Sequence, residues 1–304
     1  MKSFDLGIAW NWEYDADFVR GIEQECTRHG VSTYRIETHN CEETLHLLRT
    51  RKISFHTFLD RASDADDVFI PLAKFIAKSG THVFNNYEFV EYAKDKATMH
   101  LELIAAGLHT PYTIIISPVN KKKEIELSLT ELAHLGRPFI IKPANTTGGG
   151  VGVVIGAETL KQIIETRKHH KNDKYLLQET VVPQSIEKHK AWFRIIFAFG
   201  ISFLCWWDHE THRYRKITKE EERHFHLHHL YSILRSIHSV CHLDFFSSEV
   251  ALVHDGRLIV IDYVNEICDM RLQSAHYDGV PDDIVHEIHC ELAKIIKSYV
   301  KKIS

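Results

Sequence analysis

Residues 137–154 read RPFIIKPANTTGGGVGVV, and this stretch decides the fold. The run Phe139-Ile140-Ile141 reads as a buried strand that delivers Lys142 to its end. A polar loop follows from Ala144 through Asn145, Thr146 and Thr147, then Gly148, Gly149, Gly150 and Gly152, then a second apolar strand. Glycines carry no Cβ, so the backbone can wrap closely round a ligand and turn its N–H groups toward it. A cation beside such a loop suits phosphate oxygens. The loop lies between two strands, which separates it from GxxxxGK[ST] and GxGxxG, both of which open a helix. Alone, the stretch also reads as an ordinary hairpin with a glycine turn and a solvated lysine.

Working outward toward the N-terminus, short apolar runs alternate with helical periodicity. Strands are expected at 6–10, 32–36, 53–59 and 82–84, with helices over 15–29, 42–51 and 64–79 between them. Strands alternating with helices of this length imply crossover units and a parallel sheet. Ligands of such sheets gather at the carboxyl ends of the strands. The loops there are Asn11-Trp12-Glu13-Tyr14, Asp60-Arg61-Ala62-Ser63 and Asn85-Asn86-Tyr87. Asp60 and Arg61 read either as substrate contacts or as a helix N-cap and a surface charge.

Toward the C-terminus, residues 175–179 form a strand ending Gln178-Glu179, which runs into the irregular Thr180-Val181-Val182-Pro183. Residues 191–217 are rich in aromatic and branched side chains and read as strands turning at Phe199-Gly200. A helix is expected over about 219–241, carrying His224, His226, His228 and His229. His224 and His228 are i,i+4 neighbours, a spacing that fits either a metal pair or a polar face. Residues 243–271 read as two strands joined at Asp255-Gly256, with Glu249 on the first and Asp262 near the end of the second. An amphipathic helix is expected from 282 to 300.

Composition narrows the class. The 304 residues are 44% hydrophobic and 26% charged, as in an ordinary globular protein with sizeable cores. A net charge of -4 gives no broad basic field, so a nucleic-acid backbone is not an expected partner. No stretch approaches the ~18 apolar residues of a spanning helix, and MKSFDLGIAW enters a strand pattern directly, so no membrane partner and a cytoplasmic location are expected. The six cysteines are far apart and form no CxxC pair, which reads as free thiols.

Taken in order, these pieces resemble the ATP-grasp superfamily over about residues 82–272. The strand, lysine, glycine flap and strand match its phosphate-covering hairpin. Asn85-Asn86, Asp95-Lys96, Gly107 and Pro111-Tyr112-Thr113 match its approach to that hairpin, and the Glu249–Asp262 spacing matches its acidic end. The fold class implied is α/β, an ATP-grasp fold preceded by an N-terminal parallel-sheet, Rossmann-like domain. The expected organisation is residues 1–95 for that domain and 96–304 for the ATP-grasp domain, with a lid at about 112–182 and a magnesium-binding part at about 183–304.

The resemblance also implies roles. ATP would be held with Mg²⁺, one or two ions. Lys96 and Lys142 would neutralise its phosphates under the flap formed by Thr147, Gly148, Gly149 and Gly150. Gln178, Glu179 and the backbone at Val181 and Val182 would read the adenine edge, with Glu187 on the ribose. Glu249, Asp262 and Asn265 would hold the metal, and Arg194 and Arg271 would steady developing charge. The reaction implied joins a small-molecule carboxylate to an amine through an acyl-phosphate. A kinase acting on a hydroxyl, with Asp269 as base, and an ATP-binding module without turnover are alternatives, and a homodimer stays open.

Three departures mark this chain. Ala191-Trp192-Phe193-Arg194 stands where the family has Asp-x-Arg. Asp262-Tyr263-Val264-Asn265 is one residue longer than the usual ending, so either a bulge returns Asn265 to the metal or Glu266 takes its place. Cys268-Asp269-Met270-Arg271 replaces the usual Pro-Gly.

Overall fold

The computed structural model describes residues 1–146 and 152–303. Thr147, Gly148, Gly149 and Gly150, the expected flap residues, lie outside the described residues. Strand β1 (Lys2–Trp10) leads through α1 (Ala16–Arg28) to β2 (Thr33–Ile36), then through α2 (Cys41–Arg49) to β3 (Ile53–Arg61) and through α3 (Ile70–Ile76) to β4 (His82–Phe84). These four strands form a parallel sheet in the order β2-β1-β3-β4. Both of its faces are covered, because successive residues of a strand point to opposite sides. Leu6, Ile8 and Leu59 meet one apolar cluster, while Ala9 and Phe58 meet another.

Helices α4 (Tyr87–Lys94) and α5 (Lys96–Ala105) connect to β5 (Thr113–Ile116), α6 (Leu129–Leu135), β6 (Phe139–Pro143), β7 (Val154–Ala157), α7 (Leu160–Thr166) and β8 (Tyr175–Glu179). The second sheet is antiparallel, in the order β5-β8-β6-β7. A hairpin of β9 (Ser185–Ile186) and β10 (His189–Lys190) precedes β11 (Trp192–Ala198), β12 (Ile201–Asp208), β13 (Arg213–Lys216), α8 (Lys219–His224), α9 (His229–Cys241), β14 (Phe245–Leu252), β15 (Leu258–Asn265) and α10 (Asp282–Ile303). The third sheet has the order β13-β12-β11-β14-β15. Phe193, Ile195 and Phe197 of β11 pack with Leu230, Leu234 and Ile237 of α9 on one face. Ile196 and Ala198 on the other face join the cluster shared with β1, α1 and α10.

Asn85 joins the first sheet to the third. It sits at φ 54° just after β4, its amide NH₂ donates to the Phe245 carbonyl at 2.6 Å, and its oxygen accepts from the Phe245 N–H at 2.9 Å. A side chain anticipated as a ligand contact thus spends its hydrogen bonds on the fold.

Several expectations need correction. Helix α3 begins at Ile70 rather than 64, because the Asp66 carboxylate accepts from the Val68 N–H and starts a short 3-10 turn first. The helix expected over 219–241 is broken in two, with His226 in the left-handed region at φ 54°. That break removes the continuous helical spacing on which a His224–His228 pair depends. Helix α4 was not anticipated. Among the described residues, no helix is long and apolar enough to cross a membrane. All six cysteines are free, and five are buried.

Candidate active site

The lysines converge where the second and third sheets meet. Lys142 near the end of β6 is 7% exposed, its ammonium donating to the Ile261 carbonyl at 3.3 Å and lying 5.2 Å from the Tyr263 ring centroid. Burial lowers its pKa to about 8, with Asp262 opposing the shift and Lys96 adding to it. Lys96 enters at the first turn of α5. Asp95 caps that helix, accepting from Ala97 N–H at 2.9 Å and Thr98 N–H at 3.1 Å, and pairs with Lys174 at 2.7 Å. The Lys96 ammonium stands 3.8 Å from Asp262. Burial favours the neutral acid at Asp262, but Lys96, Arg194 and Lys142 together hold its pKa below the usual carboxylate range.

The acidic side comes from the β14–β15 ladder, where Glu249 pairs with Asp262 and Ser247 pairs with Asn265. Between those pairs, Ser248 alone opposes both Tyr263 and Val264, which is a β-bulge. Ser247 and Glu249 share a face, so their partners Asn265 and Asp262 do too, although two residues rather than one lie between them. Tyr263 and Val264 are buried, whereas Asp262 and Asn265 are half-buried. Ser248 Oγ donates to the Asp262 carbonyl at 2.8 Å and fastens the irregularity. Glu266, one residue beyond, has its pKa pushed up to about 7 by burial, with Asp64 adding to the effect.

Arg194 is the register neighbour of Glu249 on β11. Its Nη1 donates to Glu249, its Nε donates to Ser247 Oγ at 3.2 Å, and its guanidinium lies 5.5 Å from the Trp207 ring centroid. The Trp192 indole N–H donates to Glu249 Oε2 at 2.9 Å. Each Glu249 oxygen therefore accepts one hydrogen bond and keeps lone-pair capacity. Two carboxylates and the Asn265 amide form a hard-oxygen donor set that fits a magnesium ion. Among the described residues, no group of three or more His, Cys, Asp or Glu is placed to hold a metal ion, the histidines around α8 included.

The other expected residues are more dispersed. Gln178 is buried, its amide donating to Tyr263 Oη at 2.9 Å and Thr113 Oγ1 at 3.1 Å. Tyr263 Oη also lies 2.7 Å from His100 Nδ1, and burial, reinforced by Lys142, pushes His100 down to about 4. Glu179 Oε1 accepts from the Tyr112 N–H at 2.7 Å. Val181 packs beside Trp192 and Ile261, and Val182 is exposed. Glu187 occupies the tip of the β9–β10 hairpin at φ 51°, its carboxylate 3.8 Å from His224.

Two arginines depart from expectation. Arg271 is not an open clamp. Asp269 takes its Nε at 2.8 Å and its Nη2 at 2.6 Å, and Asp278 takes the same Nη2 at 2.8 Å. Arg61 is no surface charge, being 2% exposed and paired with Asp15 through two bonds of 2.7 Å. Asp60 caps its own turn, accepting from Ala62 N–H at 3.0 Å and Ser63 N–H at 3.1 Å.

Residues missed by sequence reasoning include Trp192, Ser247 and Tyr263, which support Glu249, Arg194 and Lys142. Asp173 was missed as well. It accepts from the Asn145 backbone and side chain, both at 2.9 Å, and from Thr146 Oγ1 at 3.0 Å, which pins the start of the glycine loop. The replacement of the family aspartate by Trp192 was the one available signal.

The paired sheets, the lysines on one side and the carboxylates of a hairpin on the other define the ATP-grasp fold. The chain is similar in structure to an ATP-grasp RimK domain protein from Sphaerobacter thermophilus, with a TM-score of 0.64 and 15% identity over 97% of this chain and 98% of that one. It is also similar to the D-alanine–D-alanine ligase of Bacillus anthracis complexed with ATP, with a TM-score of 0.65 and 15% identity over 100% and 99%. The ATP-grasp ligase PsnB, complexed with a minimal precursor, Mg and ADP, gives 0.61 and 13% over 98% and 98%. No family model and no curated protein matches the sequence.

Proposed function

We propose that the protein is an ATP-dependent ligase that converts a substrate carboxylate to an acyl-phosphate and joins it to an amine. The observation that carries this reading is the approach of Lys96 to Asp262, with Lys142 beside them and Glu249 directly across the ladder. Two ammonium groups facing two carboxylates match a polyphosphate bridged to its protein by a divalent ion. Glu249, Asp262 and Asn265 would hold Mg²⁺, which when bound neutralises charge on the transferring phosphoryl group. Lys96 and Lys142 bind the phosphate oxygens, and Arg194 supplies a fixed positive charge toward the reacting carboxylate. Gln178, Glu179 and the backbone of Val181 and Val182 line the adenine side, with Glu187 toward the ribose.

The similar ligases, one complexed with ATP and one with ADP and Mg, support this choice of nucleotide and metal. A kinase would draw its base from Asp269, which here accepts three bonds from Arg271, and this favours the ligase reading. ADP release measured with a carboxylate pool, with and without amines, tests the reading. Amine-dependent release is expected. Release that ignores amines and yields a phosphorylated alcohol overturns it.

A further inference from the structure

The ring of His209 lies flat on the Trp192 indole, with centroids 4.3 Å apart and planes 13° from parallel. The apolar cluster around that indole is otherwise mainly aliphatic, built from Val181, Ala251, Ile259 and Ile261, with Trp207 at its side. His209 Nδ1 is buried without a hydrogen-bond partner, so packing and not a hydrogen bond places that edge of the ring. The residue follows β12 in a turn that is itself fixed. Asp208 Oδ1 accepts from the Glu210 N–H at 2.9 Å and from the Thr211 N–H at 3.2 Å. Lys190, two residues before Trp192, donates to Glu210 Oε1 at 2.6 Å. The turn that presents the imidazole is thus tied to the strand entry that presents the indole.

What the stack controls is the indole N–H. Trp192 Nε1 donates to Glu249 Oε2 at 2.9 Å, while Arg194 Nη1 takes Oε1. A guanidinium and a carboxylate favour a two-point fork. Held by Arg194 alone, Glu249 would turn both oxygens into that fork and away from Asp262, its partner across the ladder. The indole N–H, arriving on the second oxygen, opposes that turn. Its direction follows the plane of the indole, and His209 fixes the plane. We infer that His209 is a positioning residue for the metal-binding carboxylate of Glu249, acting through Trp192. The metal role of Glu249 rests on the ligase reading, whereas the stack does not.

The test is calorimetry of the non-hydrolysable ATP analogue AMPPNP on the full chain, with and without saturating Mg²⁺. By linkage, the affinity that the metal adds to the analogue equals the metal's own preference for the complex, and it is read without turnover. His209→Ala and His209→Leu are each expected to cut that gain roughly 10-fold, the lower end of the loss for an outer partner of a metal-binding carboxylate. Affinity for the metal-free analogue stays unchanged and serves as the folding control. His209→Phe keeps a flat ring and is expected to retain the gain within about 2-fold. On a Trp192→Phe background, which lacks the N–H, His209→Leu is expected to cost nothing further. An undiminished gain in both His209→Ala and His209→Leu overturns the inference. So does loss of the gain in His209→Phe, or a full effect of His209→Leu on the Trp192→Phe background. Glu249→Gln is read beside them. If it keeps the full gain, the metal reading fails and the inference with it; if it loses the gain while His209→Ala and His209→Leu keep it, the inference fails alone.

Discussion

The indole N–H of Trp192, two residues before Arg194 on the same strand, donates to Glu249 Oε2 at 2.9 Å. An acid there would add charge beside Glu249, whereas the indole adds a donor that orients the carboxylate without competing for a cation. Loss of an outer partner of a metal-binding carboxylate costs roughly 10- to 100-fold in metal affinity. Trp192→Phe is therefore expected to raise the magnesium concentration for half-maximal ATP turnover by roughly 10-fold. A magnesium titration of ADP release checks this, with an unchanged unfolding midpoint as control.

Lys142 gives the site a pH dependence. Burial holds its pKa down to about 8, so it is a cation below that pH and loses its proton above it. Phosphate oxygens favour the charged form. ATP affinity is expected to fall as pH rises through about 8, and ATP binding at pH 8–9 to take up a proton. Calorimetry in two buffers of different ionisation enthalpy reads that uptake directly. Lys142→Met is expected to abolish the uptake and reduce turnover by roughly 10²–10³-fold, the scale of one lost stabilising donor at a developing charge.

Tyr263 meets both His100 and Gln178 through its hydroxyl. Tyr263→Phe keeps the ring under Lys142 but leaves two buried polar side chains short of a partner, a cost of about 1–3 kcal/mol. Denaturant unfolding is expected to show that loss with an unchanged slope.

Arg61 and Asp15 form a buried pair, 1% and 0% exposed in their side chains. Removing one partner strands the other charge in the core, so Arg61→Ala is expected to destabilise the protein by about 3–5 kcal/mol. Arg61→Ala combined with Asp15→Ala should recover part of that loss. A double-mutant cycle in urea measures the recovery.

The parallel sheet was legible because strand and helix periods alternate over residues 5–85, and the Asp255-Gly256 turn was legible from its residue types, Gly256 lying at φ 84°. The spacing of Glu249 and Asp262 across that turn could be read from the sequence, but their pairing rests on a register shift between Glu249 and Val250. Whether Asn265 shared their face could not, because it depends on which residue of β15 is extruded, and Ser248 helps to decide that from the partner strand. Arg61 was misread for a similar reason. Its contacts, Asp15 and Cys268, lie 46 and 207 residues away, and no local pattern announces them. The occupation of Arg271 by Asp269, two residues back, was within reach of a sequence argument, but proximity alone does not say which way an arginine turns.

Asn85 gives its amide to the Phe245 carbonyl and receives the Phe245 N–H in return, a reciprocal lock between the end of β4 and the start of β14. It couples the amino-terminal parallel sheet to the sheet that carries the acidic hairpin. The second sheet meets that assembly through Lys142 on the Ile261 carbonyl and through Gln178 on Tyr263. A change at Asn85, a single position, would therefore be felt in the first and third sheets at once.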